Sequence, residues 1–137
     1  MLPTQCLCTK LRRAARNVTK RYDDALEGAG LKAAQYSLLR HLERLDKPCI
    51  TNLAEAMGLD RSTLGRNLRV LESEGLIRLG ACSDQRNRVV LMTDEGRARL
   101  QQAREAWEVV QAELAERLGA EKRAALMALL EELETLD

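Results

Sequence analysis

The residues of this chain best equipped for chemistry are two thiols one position apart. Cys6 and Cys8 stand in the stretch PTQCLCTKLRR, at the head of a basic run. A C-x-C pair can hold a metal, close a disulfide, sense an oxidant as thiolate, or simply pack. A helical pattern around the pair separates its members. At 3.6 residues per turn they lie about 160° apart around the axis. Cys8 then falls on the flank of the apolar stripe Leu7, Leu11 and Val18, and Cys6 on the wet side beside Arg13 and Lys20. Thiols so placed on a regular helix cannot share a metal within one chain, nor bond to each other without unwinding the first turn. Redox chemistry is better supported. Both thiols sit within two turns of a helix N-terminus, with Lys10 and Arg12 each four residues on, and dipole and cations favour thiolate. Structural thiols beside a ligand pocket, and a metal completed by ligands from elsewhere, stay open as alternatives.

Other chemistry is sparse. His41 is the only histidine, which argues against histidine general-base catalysis and against a zinc site. It reads as a partly buried structural residue among Leu38, Leu42 and Leu45, with contact to a ligand pocket as the alternative. Trp107 reads as core, or as part of a cleft beside a helical arm. No nucleophile–base pair, Gly-rich phosphate loop or carboxylate dyad stands out. The expectation is a protein that is not an enzyme and uses no cofactor and no metal.

The elements that position these residues follow from composition and periodicity. The 137 residues are 45% hydrophobic but only 2% aromatic, with no Phe. Leu, Ala and Val therefore supply the apolar content, which suits helices packed on helices. No apolar run nears the 18 or so residues that span a bilayer and nothing resembles a secretory signal, so a cytoplasmic protein without membrane contact is expected. Its four cysteines then read as free thiols, with Cys49 and Cys82 structural. The net charge of +1 hides an asymmetry: residues 1–92 carry 16 Lys/Arg against 10 Asp/Glu, and residues 93–137 carry 6 against 11. That suggests a polyanion partner for the first part only.

Thr4 is the expected cap of a first helix carrying Leu7, Leu11, Ala14, Val18, Tyr22 and Ala25, which stops at Gly28 and Gly30. A second helix is expected from about Lys32 to Leu45, closed by DKP. TNLAEAMG predicts a short helix on a Thr51 cap, and DRSTLGRNLRVLESEG a second on an Asp60 cap. LIRLG and RVVLM read as strands around the polar loop ACSDQRN. A long helix follows Thr93, Gly119 breaks it, and a last helix carries Leu126, Leu129, Leu130, Leu133 and Leu136. The fold expected is mainly α with a small β-wing.

Residues 50–92 carry the function. Leu53, Ala54, Met57, Leu59, Leu64, Leu68 and Leu71 make one shared core across two short helices. That leaves Arg61, Ser62, Arg66 and Arg69 facing outward, with Thr63 and Asn67 at the margin. Such a face can enter a major groove, where Arg forks onto guanine and hydroxyls or amides meet phosphate or adenine. Arg86 and Arg88, at or near the hairpin tip, suit a narrow minor groove. Helix–turn–helix plus basic hairpin is a winged helix, and it is expected to bind double-stranded DNA.

The stretch LESEGLIRLGACSDQRNRVVLMTDEG resembles the signature of the MarR family of bacterial transcription regulators. Leu71, Glu72, Gly75, Leu76 and Ile77 match the end of its recognition helix. Asp84, Arg86, Val90 and Gly96 match its wing, with Met92-Thr93 at its Leu-Thr pair. Arg78 sits one position earlier than the usual arginine, and Gly65 stands where a Thr is common. The resemblance implies that Ser62, Thr63, Arg66, Asn67 and Arg69 read the major groove, that Arg86 enters the minor groove, and that Asp84 orients the wing arginines. It implies one MarR-like unit over 1–137, with a winged-helix region at 32–92. Helices from 1–30 and 93–137 of two subunits would form a dimerisation arm, so that the homodimer meets a pseudo-palindromic operator. The OhrR-like branch carries a reactive Cys ten residues before Val-Thr and fourteen before Tyr, as Cys8 stands before Val18-Thr19 and Tyr22. Arg12 and Ala33 stand where that branch has tyrosines, and only Cys6 or a small thiol is left to resolve a sulfenic acid. The function implied is a regulator, a repressor released by oxidation or by a small aromatic or phenolic ligand. Tyr22, Tyr36, His41 and Trp107 are the pocket expected for such a ligand. A winged-helix module used for protein–protein contacts is the alternative.

Overall fold

The structure is a computed structural model that describes residues 3–84 and 86–137. Eighteen buried hydrophobic side chains form its core, with no buried charge among the described residues. Helix α1 (Leu7–Leu26) leads through a 3-10 turn at Glu27–Ala29 into α2 (Ala33–Arg44). Helices α3 (Ile50–Met57) and α4 (Arg61–Ser73) follow, then the antiparallel strands β1 (Ile77–Ala81) and β2 (Arg88–Met92). Helix α5 (Asp94–Leu118) and helix α6 (Ala120–Glu134) complete the order. It is a winged helix with helical extensions, mainly α with a two-stranded β-wing, as expected from the periodicity.

Helices α4 and α5 start where a polar side chain satisfies a free N–H donor. Asp60 caps α4, its Oδ1 accepting from Thr63 N at 2.7 Å. Thr93 caps α5 by accepting from Gly96 N at 3.0 Å, and its hydroxyl donates to Gly75 O at 2.7 Å. The wing is thereby fastened back onto the turn that follows α4. The turn between α3 and α4 is closed by Gly58 in the left-handed region (φ 66°), whose N–H reaches Ala54 O and Glu55 O. Glycine takes that conformation without a Cβ penalty, and it directs α4 across α3.

Two caps differ from expectation. Helix α1 is capped at Cys6, not Thr4, because the Thr4 hydroxyl accepts from Cys6 N at 3.1 Å one turn too early to serve the helix itself. Helix α3 is capped at Cys49, not Thr51, because the backbone at 48–49 belongs to the wing: Cys49 bridges Val89 and Val90 N donates to Pro48 O at 2.9 Å.

The reading of Cys49 and Cys82 as free thiols is corrected. They form a disulfide over a separation of 33 residues, with Cα atoms 6.7 Å apart. Cys82 follows β1 and Cys49 lies along the far edge of β2, so the register of the wing brings together two residues that no local spacing connects. In the chain-entropy account, a cross-link of that span restricts the unfolded state by about 3–4 kcal/mol.

The core lies where α2, α3, α4 and β1 meet, with Leu38, Leu39, Leu53, Leu64, Leu68, Leu71, Leu76 and Leu100 buried. The apolar stripe of helix α1 is left largely uncovered by the subunit. Only Leu26, at its end, is buried, while Leu7 (74%), Leu11 and Val18 are exposed. Helix α6 has no buried residue, and Leu126, Met127, Leu129, Leu133 and Leu136 face outward.

Candidate nucleic-acid interface

The exposed face of α4 follows from its buried one. Leu64, Leu68 and Leu71 recur at helical spacing and are fully covered, which turns Arg61, Ser62, Arg66 and Arg69 outward and leaves Thr63 and Asn67 half-buried. The Ser62 hydroxyl donates to Asp60 Oδ1 at 2.9 Å and Arg66 Nη2 reaches Thr63 Oγ1 at 3.5 Å. The Thr63 backbone N–H, with help from the Ser62 and Thr63 side chains and then Arg66, holds the Asp60 carboxyl below the usual carboxylate range. Asp60 therefore stays ionised at the positive end of α4, a favourable place for an anion. At Gly65 an added Cβ would meet nothing within 4 Å, so the helix face is open there.

The wing extends this surface. Asp84 Oδ1 accepts from Arg86 N at 3.0 Å and Asp84 O accepts from Asn87 N at 3.0 Å, closing a tight turn with Arg86 exposed at its tip. Asp84 thus shapes the backbone that carries Arg86, and the two form no ion pair. Arg88 opens β2 instead of standing at the tip, and its Nε donates to Gly80 O at 3.2 Å across the hairpin. Among the described residues, no carboxylate pairs with Arg61, Arg66, Arg69 or Arg86 within 4 Å; the ion pairs present lie on α1, α2 and α5. Exposed guanidinium groups without acidic partners keep most of their donors for phosphates and base edges.

Behind this surface, where α1, α2 and α5 meet, lies a cavity of about 280 Å³ lined by Tyr22, Tyr36, Ser37, Arg40, His41, Arg44 and Trp107 among others. The structure thus brings Tyr22, Tyr36, His41 and Trp107 to one space. Tyr36 and Trp107 stack with ring centroids 5.6 Å apart, and the Arg40 guanidinium lies 5.8 Å from the Trp107 ring. The Tyr36 hydroxyl is buried with no hydrogen-bond partner in the protein, and burial raises its pKa. Burial likewise raises the Tyr22 phenol, with Arg123 opposing, and that hydroxyl donates to Gln111 Oε1. His41 Nδ1 lies 2.7 Å from Ser37 O, so that nitrogen carries the proton and Nε2 is left for another partner. Arg40 and Arg44 were not anticipated from the sequence, although their spacing of four and eight residues from Tyr36 places all three on one helix face.

Cys6 and Cys8 are both exposed, and among the described residues no group of three or more His, Cys, Asp or Glu side chains includes them in a metal-holding arrangement. The Thr9 hydroxyl and then the Thr9 backbone N–H lower the Cys6 thiol from its ordinary value. The helix start therefore favours thiolate at the capping residue, Cys6.

The comparisons agree with this architecture. The MarR family sequence profile matches residues 29–86. The chain is 28% identical over 102 residues to the uncharacterized HTH-type transcriptional regulator YdgJ of Bacillus subtilis, spanning 74% of this chain and 62% of that protein's length. The M. tuberculosis transcriptional regulator MosR superposes with a TM-score of 0.82 at 34% identity, covering 96% of this chain and 98% of MosR. MosR in complex with DNA superposes with a TM-score of 0.80 at 35% identity, covering 96% of this chain and all of that one. The transcriptional repressor CouR, bound to p-coumaroyl-CoA, superposes at 0.88 with 26% identity over 97% of this chain and 94% of CouR. The chain belongs to the MarR family and has the winged-helix fold of its DNA-binding transcriptional regulators.

Proposed function

We propose that the protein is a homodimeric repressor of transcription that works in the cytoplasm, is not an enzyme and reads a pseudo-palindromic operator. The observation that carries this reading is the set of exposed arginines on α4 and at the wing tip, Arg61, Arg66, Arg69 and Arg86, none of them with a carboxylate within 4 Å among the described residues. In it, residues 32–92 are the DNA-binding region. Ser62, Thr63, Arg66, Asn67 and Arg69 meet major-groove edges, Arg61 and Arg88 meet phosphates, and Arg86, held by the Asp84 turn, enters the minor groove. Residues 1–30 and 93–137 pair two subunits through the exposed apolar faces of α1 and α6, which sets two wings about one helical turn apart.

Operator affinity is modulated through one of two places. The cavity joins an aromatic wall, Tyr36 and Trp107, to the cationic Arg40 and Arg44, with Tyr22 and His41 on its rim. That chemistry suits an aromatic anion, a class to which the p-coumaroyl-CoA bound by CouR belongs. The second place is the start of α1, where Cys8 is the sensing thiol and Cys6, exposed like it, is the neighbour available for its oxidation. Oxidant-induced release that persists equally in Cys6→Ser and Cys8→Ser would remove the second.

Fluorescence anisotropy on the protein's own upstream DNA tests the DNA reading, with salt as the discriminating variable. Affinity should fall steeply as salt rises. Arg86→Ala should weaken binding by roughly tenfold and flatten the salt slope by about one, with the dimer unchanged by sedimentation. An affinity indifferent to salt and to Arg86 would favour a winged-helix module that contacts protein.

A further inference from the structure

The Cys49–Cys82 bond is not absorbed by the roles above. It joins the residue that caps α3 to the residue that follows β1, and everything enclosed between them, α3, α4 and β1, is the reading head. Other contacts tie the same start of α3 to the opposite strand, β2, and to the residue before it. Val89 bridges Cys49, Val90 N donates to Pro48 O, and Thr51 N donates to Asn87 Oδ1 at 3.3 Å. The wing loop leaves the sheet at Cys82, and Arg86 stands four residues further on. Both cysteines are only half-buried, so solvent-borne reagents reach the bond. Cys6 and Cys8 lie elsewhere, on α1.

We propose that Cys49 and Cys82 are a dithiol–disulfide switch that pins the root of the wing to α3 when oxidised and frees it when reduced. The inference rests on the DNA-binding reading, because its consequence is a change of grip on DNA. Recognition helix and wing tip must reach two grooves at once. A pinned wing presents Arg86 and the α4 face from one rigid body, so less freedom is lost on binding. A reduced wing keeps its two-strand ladder and the contacts of β2 to residues 48–51, but it loses the covalent hold on the strand that leads into the tip, and more of its freedom must be lost at the moment of contact. Where chromosomal DNA lies, thiol systems keep most cysteines reduced, and the disulfides that do form there are mostly redox-sensing.

The chemistry balances in both directions. For reduction, a thiolate of a dithiol reductant attacks one sulfur of the pair and displaces the other as thiolate. Its second thiol then closes the reductant's own disulfide and releases the first. The pair gains two electrons and two protons, and the reductant loses them. For oxidation, a hydroperoxide converts one thiol to a sulfenic acid and leaves as an alcohol or water. The other thiol then displaces hydroxide, lost as water, to form the S–S bond.

The test uses the full chain in a Cys6→Ser, Cys8→Ser background, so that the only thiols left are those of the pair. The protein is treated with hydrogen peroxide or with dithiothreitol, thiols are counted by alkylation and mass spectrometry, and operator binding is measured in each state. The oxidised form should contain linked Cys49 and Cys82 peptides and melt on the order of 5–10 °C higher. It should also bind operator roughly threefold to tenfold more tightly than the reduced form. Adding Cys49→Ser or Cys82→Ser should each abolish both differences. Two free thiols after oxidant, or linked peptides with equal operator affinity in both states, overturns the proposal alone. Linked peptides and a raised melting point without operator binding in either state overturns the DNA-binding reading, and the proposal with it.

Discussion

The winged-helix region and the helical arm are built from the same leucine-rich composition and end up in opposite conditions. In α2, α3, α4 and β1 the leucines face one another, and Leu38, Leu39, Leu53, Leu64 and Leu71 are wholly buried. Along most of α1 and α6 the leucines face outward: Leu7 is 74% exposed, Leu129 56% and, just past the end of α6, Leu136 73%. The charges divide the other way. Several cations of α1 and α5 are paired with carboxylates, as Lys20 is with Asp24 at 2.8 Å, Arg21 with Glu113 at 3.8 Å and Arg97 with Asp94 at 3.0 Å. The arginines of α4 and the wing tip are left without acidic partners. Each region is thus complete in one respect and open in the other. The head has satisfied its apolar surface and exposes cations, which calls for a polyanion. The arm has satisfied much of its charge and exposes apolar surface, which calls for another apolar face.

The strongest way to break this comparison is to damage each region where it is supposed to be complete or open. Leu68→Ala, in the head, should lower stability by about 2–5 kcal/mol, because a buried leucine leaves a cavity its neighbours cannot fill. In urea unfolding that loss should persist at any protein concentration. Leu129→Glu with Leu133→Glu, on α6, should do the reverse. The isolated subunit loses no buried contact, but sedimentation should show dissociation to monomer, and operator affinity should drop with it. A double variant that stays dimeric would mean that α6 is not the joining face and that the contrast between head and arm is only one of composition.

The effect next in size concerns the electrostatics of the head. Asp60 is held below its ordinary pKa by the donors at the start of α4. A carboxylate depressed in the folded state stabilises it fully above the unfolded pKa, about 3.9, and this is lost as pH falls through the folded value. Asp60→Ala should therefore lower the melting temperature by a few degrees at pH 7, through loss of the cap to Thr63 N. That deficit should stay constant down to about pH 5 and shrink below pH 4. Thermal melts across pH 3–7 measure it. A deficit that keeps its size at pH 3 would show that Asp60 matters for shape and not for charge.

Much of the head was legible because its signals are local. Asp60 followed by a 3.6-residue apolar period specifies α4 and its exposed face together, and β-branched Val89 and Val90 beside a polar loop specify the wing to within a residue. The arm was legible as helices but not in its environment. The stripe Leu7, Leu11 and Val18 has the same periodicity whether it meets its own domain or something else, so burial could not be read from it. The Cys49–Cys82 bond was illegible for a related reason. Its geometry depends on which edge of β2 receives residues 48–49, a long-range pairing with no trace in the spacing of cysteines. In the cavity, the aromatic residues drew attention by their rarity, whereas Arg40 and Arg44 were hidden among many arginines. The i, i+4, i+8 row from Tyr36 was the available signal.

The finest test of the contrast lies at Gly65. Inside a helix a glycine costs roughly 0.5–1 kcal/mol relative to alanine, since it loses more backbone freedom on folding. Such a residue in a well-packed helix is commonly retained for close approach by a neighbour, but here an added Cβ meets nothing within 4 Å. The openness at Gly65 belongs to the outward side of α4, not to a packing contact within the subunit. Gly65→Ala should therefore raise stability by about 0.5–1 kcal/mol in denaturant titrations. Because the gain arises within one subunit, it should be the same at every protein concentration, unlike any gain made on α6. Operator affinity should stay within about twofold, since a methyl group adds neither a donor nor a charge to the reading face. A loss of stability would mean that α4 is not a regular helix at that point, and the alignment of Arg61, Arg66 and Arg69 on one face would fail with it.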